Sequence, residues 1–161
     1  MPSCISHAII GYLLFGKKGA IYGALPDLIG FVPYFTRIGL NIKGLSFQKI
    51  LNWGDIFPQS KMKKHDWFLY NISHSLITWF IVYSITKDKA VYSAIFAIVM
   101  DIFLHNDKIW SGPSFMYPLN EYRYNGLHWL SPIGIMITLS IILLLLLIPK
   151  ETIQEYIQLL P

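Results

Sequence analysis

The chain has 161 residues, 54% of them hydrophobic and 14% charged, with a mean hydropathy of +0.47. Soluble domains carry roughly 25% charged residues, so the sequence lacks the polar cover of a water-facing surface, and a single membrane-embedded domain over 1–161 is the expectation. The net charge of +4 is spread through loops with no Lys/Arg run on one face, which argues against a nucleic-acid partner and fits contact with anionic lipid.

Residues 4–16 and 19–36 are both apolar, separated by Phe15-Gly16-Lys17-Lys18-Gly19. No basic signal-peptide run precedes them, so they are read as part of the mature protein. The lone cysteine, Cys4, excludes an intramolecular disulfide and fits a reducing compartment. Each segment is short or interrupted for a spanning helix, and Pro26 is expected to break the second. Such breaks are tolerated in membranes where the freed backbone lines a cavity or is buried in protein.

Residues 37–66 carry Arg37, Lys43, Lys49, Lys61, Lys63 and Lys64 against Asp55 and Asp66. Within them Phe47, Ile50, Leu51 and Trp53 have the spacing of a short interfacial helix. Residues 67–86 read as one span, interrupted in polarity by Asn71, Ser73, His74, Ser75 and Thr78. Lys87-Asp88-Lys89 then leads into a further span, 89–105, through a connection short enough to require an antiparallel hairpin. Residues 106–130 are rich in Trp, Tyr and Pro, a composition suited to the headgroup level. The last span is 131–148, uncharged, entered through Ser131-Pro132 and closed by Pro149-Lys150.

The fold class expected is all-α: an integral membrane bundle of about four to five transmembrane or re-entrant helices with a short interfacial helix. Placing the basic 37–66 loop in the cytoplasm puts 106–130 there too, and the Lys17-Lys18 and Lys87-Lys89 turns outside. His7, His74, Asp101 and His105 then fall at the cytoplasmic ends of their helices. Asp27 joins them on this reading only if its helix breaks at Pro26.

Ionisable groups are costly in apolar surroundings and persist where they are compensated. Asp101 and His105 are four residues apart, on one helix face, and a carboxylate with an imidazole suits zinc, manganese or iron. The alternative is a hydrogen-bonded pair that holds two helices together. His74 lies on a polar stripe with Asn71, Ser75 and Thr78 that must face protein or water; such stripes also serve as interhelical hydrogen bonds. Asp27 after Pro26 is a ligand or a helix N-cap, and His7 a ligand, a cap or a group at the membrane surface. His65 reads as solvated, His128 as interfacial, and Asp107 as a group behind the pair or a loop cap.

His7, Leu25-Pro26-Asp27, Ser73-His74-Ser75, Asp101-x-x-x-His105, Phe115-Met116-Tyr117-Pro118 and Tyr122 to Trp129 together resemble a family of membrane-bound metal-dependent hydrolases, described as LexA-binding and inner-membrane-associated. The resemblance runs from about residue 6 to residue 130. The family's site pattern is similar to that of zinc-dependent phospholipase C, an all-helical fold with His- and Asp-held metals. The resemblance implies His7, Asp27, His74, Asp101 and His105 as metal ligands. It departs at Ala97, where the family pattern has a histidine one turn before Asp101.

The function expected is therefore a multi-pass, inner-membrane, metal-dependent hydrolase. Its cofactor would be a divalent metal, zinc first, with Asp27 or Asp101 as general base. Its partners would be membrane lipids and a lipid-like phosphoester substrate. The alternative is a non-catalytic membrane protein that keeps the fold and uses the Asp/His cluster structurally or for binding.

Overall fold

The computed structural model describes residues 2–38, 59–106 and 111–161. The interfacial helix expected around Phe47 to Trp53, and Asp107, lie outside the described residues. The described chain is all-helical: α1 (Pro2–Arg37), α2 (Lys64–Ser73), α3 (Leu76–Thr86), α4 (Tyr92–Leu104), α5 (Pro132–Leu147) and α6 (Lys150–Leu159), with short 3-10 turns at Gln59–Lys61 and Lys89–Val91.

Helix α1 is a hairpin. At Gly16 the backbone takes φ 66° and ψ −152°, a region open essentially to glycine alone, and the chain reverses there. The two arms, 2–15 and 17–37, then meet backbone to backbone. A Cβ on Gly19 would stand 2.1 Å from the Gly11 carbonyl oxygen, and one on Gly23 2.5 Å from that of His7. Glycines at these contacts let two helices approach as close as their main chains allow.

The expected break at Pro26 does not occur. The second arm runs helical through both Pro26 and Pro33. A proline removes one i to i−4 hydrogen bond, but the arm is held on two sides: Phe31, Tyr34 and Phe35 pack on Met62 and Tyr70, and Tyr22 and Leu25 on the cluster around Trp79. The interruption falls instead within 67–86, which divides into α2 and α3, bent by 55°. Ser75 caps the N-terminus of α3 by accepting from the Thr78 N–H, while the Leu76 N–H donates to the Phe115 carbonyl at 2.9 Å. The Ser73 carbonyl at the end of α2 accepts from Trp79 Nε1 at 2.7 Å. Backbone groups freed by the break therefore find partners inside the protein.

Helix α4 packs along α1 more extensively than any other pair, and α5 covers their joint surface through Ile141, Ile142 and Leu145 on Ile10, Met100 and Leu104. After α5 the chain turns by 102° into α6, an element the sequence reading left unassigned. Lys89 Nζ closes its C-terminus by donating to the carbonyls of Ile157 and Gln158 at 3.3 and 2.9 Å. Lys18 Nζ lies 2.9 Å from Asp88 Oδ2, so the Lys17-Lys18 and Lys87-Lys89 turns share one end of the molecule. No single described helix is both long and apolar enough to cross a membrane. The pairs α2 with α3 and α5 with α6 meet that test only when each bent pair is taken together.

Candidate metal centre

The end of the bundle away from the Lys18–Asp88 contact holds the ionisable cluster. His7 comes from the first arm of α1, Asp27 from the second, His74 from the C-cap of α2, Asp101 from the last turn of α4 and His105 from its C-cap. None of the five is more than 6% exposed. The hairpin explains how Asp27 arrives without a helix break: antiparallel arms crossing at His7 and Gly23 place position 27, one turn further on, beside the His7 ring.

The contacts alternate in sign around a ring. His7 Nδ1 lies 3.5 Å from Asp27 Oδ2, and its Nε2 lies 3.5 Å from Asp101 Oδ1. His74 Nε2 lies 3.4 Å from Asp27 Oδ1 and 3.6 Å from Asp101 Oδ2. Two carboxylates thus stand between two imidazoles, and each carboxylate oxygen faces a ring nitrogen. His105 sits to one side. Its Nδ1 is 3.0 Å from the main-chain carbonyl of Asp101 and 3.5 Å from Asp101 Oδ1.

Hydrogen-bond chemistry fixes which nitrogens are free. A carbonyl only accepts, so His74 Nδ1, 3.0 Å from the Tyr70 carbonyl, carries the proton and donates it there. Nε2 of a neutral His74 then presents a lone pair to two carboxylates. His7 meets the same conflict, because both of its nitrogens face carboxylates while a neutral ring carries only one proton. Buried acceptors opposed in this way need a proton or a metal ion between them, the proton held by an imidazole or by a carboxyl.

The spacings are compatible with a metal. Charge-assisted N–H···O bonds run about 2.7–2.9 Å, and every ring contact is longer. Ligands about 2.0–2.1 Å from a tetrahedral ion stand about 3.3 Å apart, a spacing that the 3.4 and 3.6 Å contacts of His74 Nε2 approach, whereas His7 reaches Asp27 and Asp101 through different ring nitrogens and can turn only one of them to a given ion. Donor atoms of His7, Asp27 and Asp101 all lie within 4.8 Å of one another and can hold an ion. His74 Nε2 faces the same two carboxylates from the α2 side. His105 takes part less directly, since one of its nitrogens is spent on its own helix end.

Residues around the ring hold it in place, and most carried no ionisable signal in the sequence. Ser73 Oγ lies 3.0 Å from His74 Nδ1 and 3.1 Å from the Tyr70 carbonyl, to which it donates. The Tyr70 ring lies 4.4 Å, centroid to centroid, from the His74 imidazole, and Phe31 stands edge-on to it at 5.8 Å. Gly30 leaves room for this group: a Cβ there would come within 3.2 Å of His74 Cε1. The signals available were the seryl neighbours of His74 and the Tyr70 to His74 spacing of one helical turn.

The segment after the centre folds over it. Gly126 N–H donates to the His105 carbonyl at 2.7 Å and Leu127 N–H to that of Phe103 at 2.8 Å, closing the end of α4. Arg123 donates to Ser114 Oγ and Asn71 Oδ1, with its guanidinium 4.4 Å over Trp67, tying the segment to α2. His65 is exposed and stands beside Asp66, apart from the cluster. His128 is half-buried, and burial holds its imidazole below the usual histidine range.

A cavity of about 150 Å³ reaches the centre from one side only. Its lining includes His7 and Asp101 with Met100, Leu104, Trp129 and Leu139, and omits Asp27 and His74. Comparison with protein-family models, with curated proteins and with solved structures finds no match to this chain.

Proposed function

We propose that the chain is a multi-pass inner-membrane hydrolase in which His7, Asp27, His74 and Asp101 hold a divalent cation, zinc first, with His105 in support. Its substrate on this reading is a phosphoester of a lipid or amphiphile. One observation carries the metal: the buried His7, Asp27 and Asp101 offer donor atoms within 4.8 Å of one another, with His74 Nε2 3.4 and 3.6 Å from the two carboxylates. The motif resemblance to membrane-bound metal-dependent hydrolases supports the same reading.

Support for the membrane comes from the surface. Ile133, Met136, Leu139, Leu143 and Leu147 along α5, Ile5 and Ile21 on α1, and Phe80, Ile81 and Ile85 on α3 are all exposed. A soluble monomer rarely exposes so large an apolar area, and a hydrocarbon solvent removes the cost. Helix α6, turned across the end of the bundle with Lys150, Glu151 and Glu155 exposed, fits an interfacial position.

A bound divalent ion lowers the pKa of a coordinated water and polarises the scissile group. Among the chain's own residues, Asp101 is the carboxylate that lines the cavity, so it is the group placed to take a proton from the attacking water. Asp27, with both oxygens turned to His7 and His74 and none of it on the cavity, orients the two imidazoles. The fold excludes bulk water from both.

A second reading has its own observation. Ala97, buried one turn before Asp101, supplies no imidazole where the resemblance places one. A cluster clamped by imidazolium protons and serving only to join α1, α2 and α4 would also satisfy the opposed lone pairs. Metal analysis of the protein purified in mild detergent separates the two. The hydrolase reading expects one zinc or manganese per chain after reloading, lost in both Asp101→Ala and His74→Ala. A wild-type protein that stays metal-free after reloading overturns it.

A further inference from the structure

The cavity beside the centre has a shape that selects a kind of substrate. Helix α5 is anchored at two places. At its N-terminus Gly134 rests on the carbonyls of His128 and Trp129, where a Cβ would come within 2.6 and 2.8 Å of their oxygens. Further along, Ile141, Ile142 and Leu145 pack on the Ile10, Met100 and Leu104 cluster. Between these anchors, at Ile135, Thr138 and Leu139, the helix stands off from α1 and α4, and the cavity fills the gap.

Its walls grade from inside to outside. His7 and Asp101 lie at the buried end, Met100 and Leu104 form a buried apolar floor, and Ile135 and Leu139 at the α5 wall are exposed on the outer face. Apart from its ionisable end and the hydroxyls of Ser6 and Thr138 its lining is apolar. Such a slot rewards burial of methylene groups and offers little to a polar body such as a sugar or a peptide.

We infer that this slot holds one unbranched alkyl chain of the substrate, entering sideways between α5 and α1 with the chain's polar end directed at His7 and Asp101. The inference rests on the proposed hydrolase reading and narrows its substrate to a single-chain segment of an amphiphile drawn from the bilayer. The occupant is an alkyl chain because the slot joins a polar, ionisable end to a mouth on the exposed apolar face of α5. A soluble polar substrate would have to cross that face.

Photolabelling tests it. The metal-loaded protein in phosphatidylcholine vesicles is irradiated with a long-chain alkyl phosphate carrying a diazirine, and the adducts are mapped by mass spectrometry. The diazirine is placed on the chain carbons next to the phosphate, and the expected result is labelling of the buried residues Met100 and Leu104, competed by unlabelled alkyl phosphate. Leu139→Trp, which fills the slot from an exposed helix position, should abolish that labelling while metal content stays at the wild-type level. Labelling confined to outward-facing residues such as Ile133 and Met136, or buried labelling unchanged in Leu139→Trp, overturns the inference. Metal content measured on the same samples keeps this separate from the centre itself: metal bound with no buried label overturns the slot alone, and no metal in the wild type overturns the hydrolase reading.

Discussion

The main chain of Gly23 rests on the carbonyl of His7, so closely that a methyl group on Gly23 would stand 2.5 Å from that oxygen. This contact sets the separation of the two arms of α1 at the level where one arm supplies His7 and the other, a turn later, Asp27. The His7–Asp27 spacing is therefore inherited from a glycine that carries no chemistry.

Gly23→Ala should in consequence lower metal affinity without touching a ligand. The backbone it would strike cannot swing aside as a side chain can, so the arms must part by a few tenths of an ångström or more. Overpacking of this kind costs about 1–3 kcal/mol. The expected outcome is a helical protein with a lower melting temperature and weaker metal binding in a chelator-competition titration. Wild-type metal affinity in Gly23→Ala would show that the hairpin contact does not set the site.

Much of this was legible in the sequence, for a physical reason. Charged and imidazole groups in apolar surroundings are expensive, so His7, Asp27, His74, Asp101 and His105 stood out individually, and the structure brings all five to one end of the bundle. The path of the chain to that end was less legible. Pro26 read as a break because proline disrupts isolated helices; the aromatic packing of Phe31, Tyr34 and Phe35 holds the arm helical regardless. The break at His74-Ser75 went unread because the capping partners that make it affordable, Trp79 Nε1 and the Phe115 carbonyl, are tertiary contacts. Gly16, Gly19 and Gly23 marked the hairpin only to a reading that already had the two arms side by side.

The Ser73 hydroxyl shares the Tyr70 carbonyl with the His74 Nδ1–H and lies against that nitrogen. Groups that orient a ligating imidazole typically contribute about 10–100-fold in metal affinity. Ser73→Ala should accordingly weaken metal binding within that range while leaving stoichiometry at saturation unchanged. His74→Ala, by contrast, should remove binding. The comparison is made by titrating both variants against a chelator of known affinity, with circular dichroism as the check on fold. Equal losses in the two variants would mean that Ser73 acts on folding and not on the ring's orientation.

At the opposite end, Asp88 links two elements: it accepts from the Ala90 N–H of the 3-10 turn at 3.1 Å and pairs with Lys18 of α1 at 2.9 Å. The Lys18 ammonium and that backbone N–H hold the Asp88 carboxyl below its ordinary value of 3.8. A carboxyl with a depressed folded-state pKa contributes stability that is present above the unfolded value and lost as pH falls through the folded one. Lys18 is raised by the same pair, so its share is present below 10.5 and lost at higher pH. The pair is solvent-facing and screened by salt, so its charge component should be small; the cap should matter more. Asp88→Asn keeps an acceptor for the Ala90 N–H and should change stability little. Asp88→Ala loses the cap and should cost about 1 kcal/mol, measured by thermal unfolding in detergent at pH 7. As pH falls through the depressed folded-state value of Asp88, the wild type and Asp88→Asn should converge, because a protonated Asp88 no longer attracts Lys18. A persistent gap between those two at acid pH would place the contribution of Asp88 outside its charge.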